Sequence, residues 1–252
     1  MLLRAAFLRA LVFSPPCPPR SVTLYQITMA MLTPAQTAFL ELLVSRQALK
    51  FGDFTLKSGR KSPYFINTGC FHLGGDLARL GAAYAATIHA AFGADVQVVF
   101  GPAYKGIPLA LAAAAAYEPL VGRGVGWTYD RKEAKDHGDG GSFVGHPLTA
   151  GTRVVIVDDV LTAGTALRET LAKLKPTGVQ VVGAIVAVDR QERGQGTKTA
   201  IEEISSECGL RVAPILTITE AAAHLEAHEV AGKRYLTTDD AARIRAHLAQ
   251  AR

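Results

Sequence analysis

Several features that would place the chain in a common protein class are missing or scarce among its 252 residues. Cysteine occurs only at Cys17, Cys70 and Cys208, an odd number without the spacing of metal ligands, so neither a disulfide framework nor a zinc site is predicted. No uninterrupted apolar run reaches the roughly 20 residues that a membrane span requires. These absences favour a cytoplasmic protein with no membrane partner.

Acidic residues are also absent from the start of the chain, and this accounts for much of its positive charge. The formal net charge is +5, but Arg4, Arg9 and Arg20 supply three of those charges before the first acid, Glu41. The rest of the chain is only mildly basic. The charge therefore gives no reason to expect a nucleic-acid partner.

Residues 1–30 differ from the rest in composition, being rich in proline and arginine. Their apolar run is broken by the block Pro15–Pro19, which argues against a targeting peptide, although targeting is the alternative. The favoured interpretation is a disordered extension, or a start placed too early with Met29 or Met31 as the true first residue. We expect this extension to be followed by one folded domain over 31–252.

Short β-rich runs alternate with helical patterns along that domain. A capping box at Thr33-Pro34-Ala35-Gln36 predicts the first helix, and the last is predicted from about Thr238. The predicted strands are Val96–Phe100, Arg153–Val157, Val179–Val188 and Arg211–Ile218, with helices from about Ile107, Thr165 and Ala200. The run Val154–Val157 is apolar without alternation, which is typical of a parallel strand covered on both faces. The predicted fold is therefore α/β, with a mostly parallel central sheet flanked by helices.

The strongest functional signal is VVIVDDVLTAGTA, Val154–Ala166. Asp158 and Asp159 stand at the end of a buried strand, where the binding sites of open α/β sheets lie. The Thr-Ala-Gly-Thr turn at 162–165 offers hydroxyls, a tight backbone and successive N–H groups at a helix start, which suit a phosphate monoester. An ordinary loop whose acids and threonines merely cap the helix is the alternative from these residues alone.

Four other places carry candidate binding groups. In GPAYKG at 101–106, Lys105 stands just before a helix, where an ammonium and backbone N–H groups can meet phosphate oxygens. The segment 130–141 mixes three firm positive charges with four acids and ends in glycines, which indicates a mobile loop. A basic turn within 54–65 ends in two aromatic residues, and Arg190 follows a long apolar strand with a guanidinium that suits a carboxylate. Ordinary solvated charges are the alternative for each.

Val154–Ala166 resembles the PRPP-binding motif of type I phosphoribosyltransferases, and four more blocks sharpen the resemblance to the orotate phosphoribosyltransferases. These blocks are FGDFTLKSGRKSPYF at 51–65, FGPAYKGIPLA at 100–110, RKEAKDHGDGG at 131–141 and VDRQERG at 188–194. With its framing helices the match covers roughly residues 33–250. It implies the type I fold with a small hood. It also implies transfer of the 5-phosphoribosyl group of PRPP (5-phosphoribosyl 1-diphosphate) to orotate, which gives orotidine 5′-phosphate and pyrophosphate in pyrimidine biosynthesis.

The resemblance also assigns roles to individual residues of this chain. The implied catalytic residues are Lys135, Asp158 and Asp159. The implied PRPP contacts are Lys57, Tyr104, Lys105, Arg131, Lys132, Lys135, His137, Asp158, Asp159, Val160, Leu161, Thr162, Ala163, Gly164, Thr165 and Ala166. The implied orotate contacts are Phe65, Ile66, Thr162 and Arg190.

A homodimer and a metal cofactor follow from the same resemblance. The segment 131–141 corresponds to the family's catalytic lid, which closes over PRPP and reaches into the site of the neighbouring subunit. Lys135 would contact the departing pyrophosphate. Mg²⁺ is the implied cofactor, carried by PRPP and linked through water to Asp158 and Asp159, with no direct protein ligand expected.

Two other functions are compatible with the PRPP motif alone. One is a phosphoribosyltransferase for another base, against which Arg190 and the 51–65 block argue. Arg190 could instead form a surface pair with Glu192 or Glu202. The other is a PRPP-sensing regulator that has lost catalysis, against which the intact lid and the lack of a helix-turn-helix domain argue. A product assay with orotate, PRPP and Mg²⁺ separates all three.

Overall fold

A six-stranded sheet and a separate β-hairpin organise the residues that the computed structural model describes, which are 31–56, 59–132, 141–161, 164–194 and 196–250. The strands are β1 Leu49–Thr55, β2 Lys61–Ile66, β3 Val98–Phe100, β4 Gly126–Asp130, β5 Phe143–Gly145, β6 Arg153–Val160, β7 Gln180–Asp189 and β8 Val212–Thr217. The α-helices are α1 Pro34–Ser45, α2 Gly74–Phe92, α3 Gly106–Val121, α4 Thr165–Leu174, α5 Ala200–Cys208, α6 Ile218–Ala227 and α7 Thr238–Gln250. The predicted extension over 1–30 lies outside the described residues.

The large sheet has the strand order β5-β4-β3-β6-β7-β8. All neighbouring strands are parallel except β5, which runs antiparallel to β4. The hairpin pairs β1 with β2 in antiparallel register, outside the six-stranded sheet. The predicted α/β class with a mostly parallel, helix-flanked sheet is confirmed.

The uninterrupted apolar run of β6 is explained by cores on both faces of the sheet. Val155 and Val157 face a core built largely from α1, α2, α3, α6 and α7. Val154 and Ile156 face a second core with side chains of α4 and α5. Because every position is buried, each side chain contributes about 1.5–3 kcal/mol by leaving water. The strand has no solvent side on which a polar residue would be preferred.

The end of β6 differs from the prediction. The predicted strand stopped at Val157, but the observed strand continues through both acids to Val160, because its pairing with β7 continues as Asp158 opposite Val186 and Val160 opposite Val188. This ladder is made by backbone groups, so acidic side chains do not end it. The two carboxylates are consequently mounted on a strand and not on a loop.

The helix predictions agree well with the structure. The capping box at the start of α1 is present, with Thr33 Oγ1 accepting from the N–H of Gln36 and Gln36 Oε1 accepting from the N–H of Thr33. The last helix begins at Thr238, as predicted. None of the helices in the described ranges is long and apolar enough to cross a membrane.

The order of strands creates a crevice in the middle of the sheet. From β3 the chain adds β4 and β5 on one side and then returns to place β6 on the other side of β3. The connections that leave β3 and β6 therefore diverge. Ligands of open α/β sheets bind beyond the carboxyl ends of the strands at such a switch point.

Candidate active site

The loop after β3 and the end of β6 meet across this crevice. The ammonium of Lys105 donates to Asp159 Oδ2 at 2.8 Å. The loop folds tightly onto the start of α3, because a Cβ on Gly101 would lie 1.9 Å from the carbonyl oxygen of Gly106. Only a glycine fits there. The side chain of Tyr104 stays 72% exposed on the same loop.

The adjacent carboxylates of β6 have different surroundings. Asp159 accepts from Lys105, from the Thr68 hydroxyl at 2.8 Å and from the Val160 N–H at 2.8 Å. Asp158 accepts from the N–H of Asp159 at 2.8 Å, and its backbone carbonyl accepts from the Tyr84 hydroxyl at 2.6 Å. Asp159 therefore has a cation and a hydroxyl as partners.

This asymmetry separates the two pKa values. Burial, assisted by the neighbouring charge of Asp159, raises the pKa of Asp158 to about 6. Burial opposes ionisation of Asp159 too, but hydrogen bonds from Lys105 and Thr68 outweigh it and lower the pKa of that carboxyl. The pair thus presents one firmly ionised group beside one whose charge is unfavourable until a cation or hydroxyl donor arrives.

The start of α4 suits an anion. Gly164 has φ of 71°, and a Cβ there would lie 2.6 Å from Cδ1 of Ile204, so both the backbone conformation and the packing on α5 require glycine. Helix α4 begins at Thr165. Within the described part of the chain no side chain caps its first turn, which leaves N–H groups and the positive end of the helix dipole for a ligand.

A cavity of about 570 Å³ lies at the ends of β6 and β7, under the hairpin. Its lining residues are Thr55, Leu56, Arg60, Phe65, Ile66, Lys105, Val160, Leu161, Asp189, Arg190, Gln191, Glu192, Arg193 and Ala200. The volume is typical of a small-molecule site. The structure thus brings together six residues that the sequence predicted for two different substrates: Phe65, Ile66, Lys105, Val160, Leu161 and Arg190.

Arg190 is held in the wall of this cavity by a buried network. One of its terminal nitrogens donates to Glu192 Oε1 at 2.7 Å, and the Tyr64 hydroxyl donates to the same oxygen at 2.6 Å and to the Arg190 carbonyl at 2.9 Å. The guanidinium carbon lies 5.0 Å from the centre of the Tyr64 ring. Nε2 of His247, from α7, lies 3.4 Å from the same Glu192 oxygen.

The predicted alternative of a surface pair is therefore wrong in its location. Arg190 does pair with Glu192, but the two side chains are only 11% and 7% exposed. Although burial opposes it, hydrogen bonds from Arg190 and Tyr64 lower the pKa of Glu192, so the partner is an anion. An arginine fork has five N–H donors. The bond to Glu192 fixes its orientation and leaves capacity for a second carboxylate.

Phe65 lines the cavity, and it packs on a residue that the sequence did not single out. Its ring stacks on Phe54 with centroids 5.5 Å apart and planes inclined by 28°. Both rings come from the hairpin. A flat heterocycle can pack against such a surface.

Comparison with known proteins agrees with this geometry. The sequence model of the phosphoribosyl transferase domain matches residues 72–206. The chain is 54% identical over 183 residues to an orotate phosphoribosyltransferase of Thioalkalivibrio sulfidiphilus, covering 73% of this chain and 84% of that protein. It is 48% identical over 195 residues to one of Klebsiella pneumoniae, covering 77% and 90% respectively. The chain belongs to the orotate phosphoribosyltransferase family.

Solved orotate phosphoribosyltransferases share the fold. A crystal structure from Francisella tularensis aligns with a TM-score of 0.72 at 34% identity, covering 84% of this chain and 98% of that one. A structure of the Mycobacterium tuberculosis enzyme in complex with PRPP aligns with a TM-score of 0.55 at 27% identity, covering 74% of this chain and 98% of that one. The type I phosphoribosyltransferase fold predicted from the sequence is confirmed.

Not every residue predicted for an orotate phosphoribosyltransferase site can be placed. Lys57, Lys135, His137, Thr162 and Ala163 lie outside the described residues. Near the lid, the backbone N–H of Arg131 donates to the carbonyl of Ser142 at 2.8 Å, and the Lys132 ammonium lies 5.9 Å from the centre of the Tyr104 ring. Neither basic residue lines the 570 Å³ cavity.

Several residues that shape this candidate site were not predicted as site residues from the sequence. They are Phe54, Tyr64, Thr68, Tyr84, Asp130, Glu192 as a buried partner, and His247. Most of their partners are far away in sequence, so no local pattern marks them. The exception is Glu192, whose position two residues after Arg190 was visible but indicated only a surface pair.

Proposed function

We propose that the chain joins orotate to the ribose 5-phosphate of PRPP and releases pyrophosphate. The observation that carries this proposal is one cavity that is lined by both Lys105 and Arg190. Such a cavity can hold a polyanionic donor and a carboxylated acceptor at the same time. The names of the similar proteins support the same reaction.

PRPP occupies the switch-point end in this proposal. Its 5-phosphate binds at the start of α4, where no described side chain caps the first-turn N–H groups, and its pyrophosphate meets the loop of Tyr104 and Lys105. Asp158 and Asp159 accept hydrogen bonds from the ribose hydroxyls, which would relieve the unfavourable charge of Asp158.

Magnesium would accompany the pyrophosphate. The two adjacent carboxylates, Asp158 and Asp159, can accept hydrogen bonds from metal-bound water. This chemistry fits an ion that arrives with PRPP. When bound, it would neutralise charge on the leaving group.

Orotate occupies the end near β7. Its carboxylate pairs with Arg190, whose planar fork suits two parallel hydrogen bonds, and its ring packs beside Phe65 and Ile66. An orotate ring nitrogen forms a bond to the anomeric carbon of PRPP as the bond from that carbon to pyrophosphate breaks, and the proton on that nitrogen passes to water. Negative charge grows on the leaving oxygen, where Lys105, and Lys135 from the lid, stabilise it.

The active form in this proposal is a homodimer that shares lid residues. Support comes from an apolar groove of about 480 Å³ between α2 and α3, which we call the α2–α3 groove; its lining residues are Gly74, Leu77, Ala78, Leu111, Ala112, Ala115 and Ala116. Leu73, at the same end of α2, is 49% exposed. An exposed apolar surface of this kind suits a second copy of the chain.

The test is to incubate the purified protein with PRPP, Mg²⁺ and one base at a time. Orotidine 5′-phosphate and pyrophosphate should form in equal amounts with orotate, whereas uracil, which lacks the carboxylate, should react poorly. A faster reaction with another base would reassign the acceptor. PRPP binding without any product from any base would indicate a regulator.

The dimer is tested by mixing two inactive proteins, Lys135→Ala and Asp158→Asn/Asp159→Asn. If the lid serves the partner's site, one site of each mixed dimer has both halves intact and activity returns. Sedimentation of a Leu111→Glu variant should show a monomer. Absence of recovery after proven subunit exchange would mean that the lid serves its own chain.

A further inference from the structure

A buried carboxylate lies behind the pyrophosphate loop and contacts no part of the cavity. Asp130 is the last residue of β4 and is 3% exposed. Its Oδ1 accepts from the backbone N–H of Ala103 at 2.8 Å. Its Oδ2 accepts from the ammonium of Lys173, on α4, at 2.5 Å. One side chain thus joins β4, α4 and the loop after β3.

The contact with Ala103 lies in the middle of that loop, between its two anchored ends. The N–H of Gly101 donates to the Thr128 carbonyl, and the N–H of Gly106 donates to the Pro102 carbonyl, so the two ends of the loop are held by backbone groups. Between them, the described contact that holds the Ala103 N–H comes from the Asp130 side chain. Ala103 immediately precedes the proposed pyrophosphate-binding residues Tyr104 and Lys105.

A buried carboxylate is costly for a fold unless it has partners, and a neutral side chain would satisfy packing alone. We propose that Asp130 is a positioning residue, which fixes the loop 101–105 so that its N–H groups and Lys105 meet the pyrophosphate of PRPP. This inference rests on the proposed function. It adds a residue that touches no substrate and acts through Ala103.

Lys173 neutralises the carboxylate and does not itself touch the loop. Its side chain is 42% exposed, so it can turn to solvent when its partner is lost. The charge and the hydrogen-bond acceptor of Asp130 can therefore be separated experimentally. Asparagine retains an acceptor oxygen, alanine does not, and methionine at 173 removes the cation in both cases.

The experiment compares Asp130→Ala/Lys173→Met with the matched control Asp130→Asn/Lys173→Met. Calorimetry measures the affinity of each protein for PRPP, for inorganic pyrophosphate and for orotidine 5′-phosphate, which has the 5-phosphate and the base but no pyrophosphate. In the alanine variant, affinity for PRPP and pyrophosphate should fall about 10-fold, because the hydrogen bond that orients the loop is lost. Affinity for orotidine 5′-phosphate should stay within about twofold.

The asparagine control should restore PRPP and pyrophosphate binding to within about threefold of the wild type. An equal loss for all three ligands would overturn the proposal, because it would show general support of the fold. Unchanged pyrophosphate binding in the alanine variant would overturn it too. If that variant does not fold in a thermal melt, Asp130→Leu/Lys173→Met fills the volume without an acceptor and takes its place. Failure of the wild-type protein to bind PRPP would instead count against the proposed function.

Discussion

The ends of β6 and β7 lie side by side at one edge of the sheet, yet they arrange charge in opposite ways. At β6 two acids are adjacent, and the cation paired with Asp159, Lys105, comes from the loop after β3 and has a side chain 69% exposed. At β7 the cation Arg190 has its counter-ion Glu192 two residues away, and both side chains are buried.

This difference separates two ways of preparing a site. The β6 end holds Asp158, a carboxyl with a raised pKa, so the negative charge of this side chain is unfavourable until ligand groups arrive. At the β7 end the charges are already paired in the ligand-free protein, because hydrogen bonds from Arg190 and Tyr64 stabilise the Glu192 carboxylate and lower its pKa. Such an end orients its guanidinium before the acceptor binds, which reduces the ordering that binding requires. Four substitutions test the comparison.

Replacing the oriented cation should have the largest effect. Arg190→Leu removes a charge-assisted pair with the orotate carboxylate, so kcat/KM for orotate should fall by about 3 kcal/mol, or roughly 100-fold. PRPP affinity should change little, because Arg190 lies at the β7 end. Steady-state kinetics with orotate and uracil, beside the exposed control Arg211→Leu, measure this. An unchanged ratio of orotate to uracil would remove Arg190 from the acceptor site.

At the β6 end, Asp158→Asn should make the ligand-free protein more stable at neutral pH. The folded-state pKa of Asp158, about 6, is raised above its ordinary value of 3.8, so the stability gained from the protonated form is present below about pH 4 and is lost as the pH rises through about 6. The full linkage is about 3 kcal/mol. We expect about 2 kcal/mol, because an amide accepts more weakly than a carboxylate from the Asp159 N–H.

Urea unfolding at pH 4 and pH 7 checks this expectation, with the exposed Asp53→Asn as control. The difference between Asp158→Asn and wild type should be small at pH 4 and should grow toward pH 7. Taking the difference cancels the contribution of Glu192, whose lowered pKa acts with the opposite sign. A variant less stable than wild type at pH 7 would show that the carboxylate is well compensated.

Loosening the orientation of Arg190 should have a smaller effect than removing it. Glu192→Gln keeps an acceptor for Tyr64 and Arg190 but loses the charge, so KM for orotate should rise about 3- to 10-fold while KM for PRPP stays constant. The control is Glu202→Gln, which preserves the capping box of α5. A matching rise in both KM values would indicate a general disturbance of the cavity.

The smallest effect is expected for a substitution at Tyr84, which contacts the backbone of Asp158 and neither carboxylate. Tyr84→Phe removes the hydroxyl that donates to the Asp158 carbonyl, which should lower the free energy of unfolding by about 0.5–1.5 kcal/mol. Turnover should be nearly unchanged, since neither carboxylate loses its own partners. Tyr129→Phe, at a half-buried position on β4, is the control. A large loss of turnover would mean that this hydroxyl sets the position of the acids.

How much the sequence could predict depends on how far apart the interacting residues lie. Asp158 and Arg190 each follow an apolar run whose length is typical of a buried strand. Their position at the carboxyl ends of the sheet strands was therefore predictable. Tyr64 contacts Glu192 from 128 positions away, and Asp130 lies 27 positions from Ala103. Such pairs are created by the fold, and single-sequence periodicity holds no information about them. The extension of β6 beyond the predicted end at Val157 has the same cause, because backbone pairing with β7 determines where β6 ends.

The packing of Gly164 on Ile204 gives α5 an indirect influence over the phosphate site proposed at the start of α4. A Cβ at position 164 would lie 2.6 Å from Cδ1 of Ile204. The side chain of Ile204, on α5, therefore packs directly against the backbone of Gly164. A larger residue at 204 would push Gly164 away from α5, and a smaller one would leave a gap beneath it. Either change would move the first N–H groups of α4 relative to the phosphate proposed to bind there, so we expect substitutions in α5 to change the affinity for PRPP without contacting it.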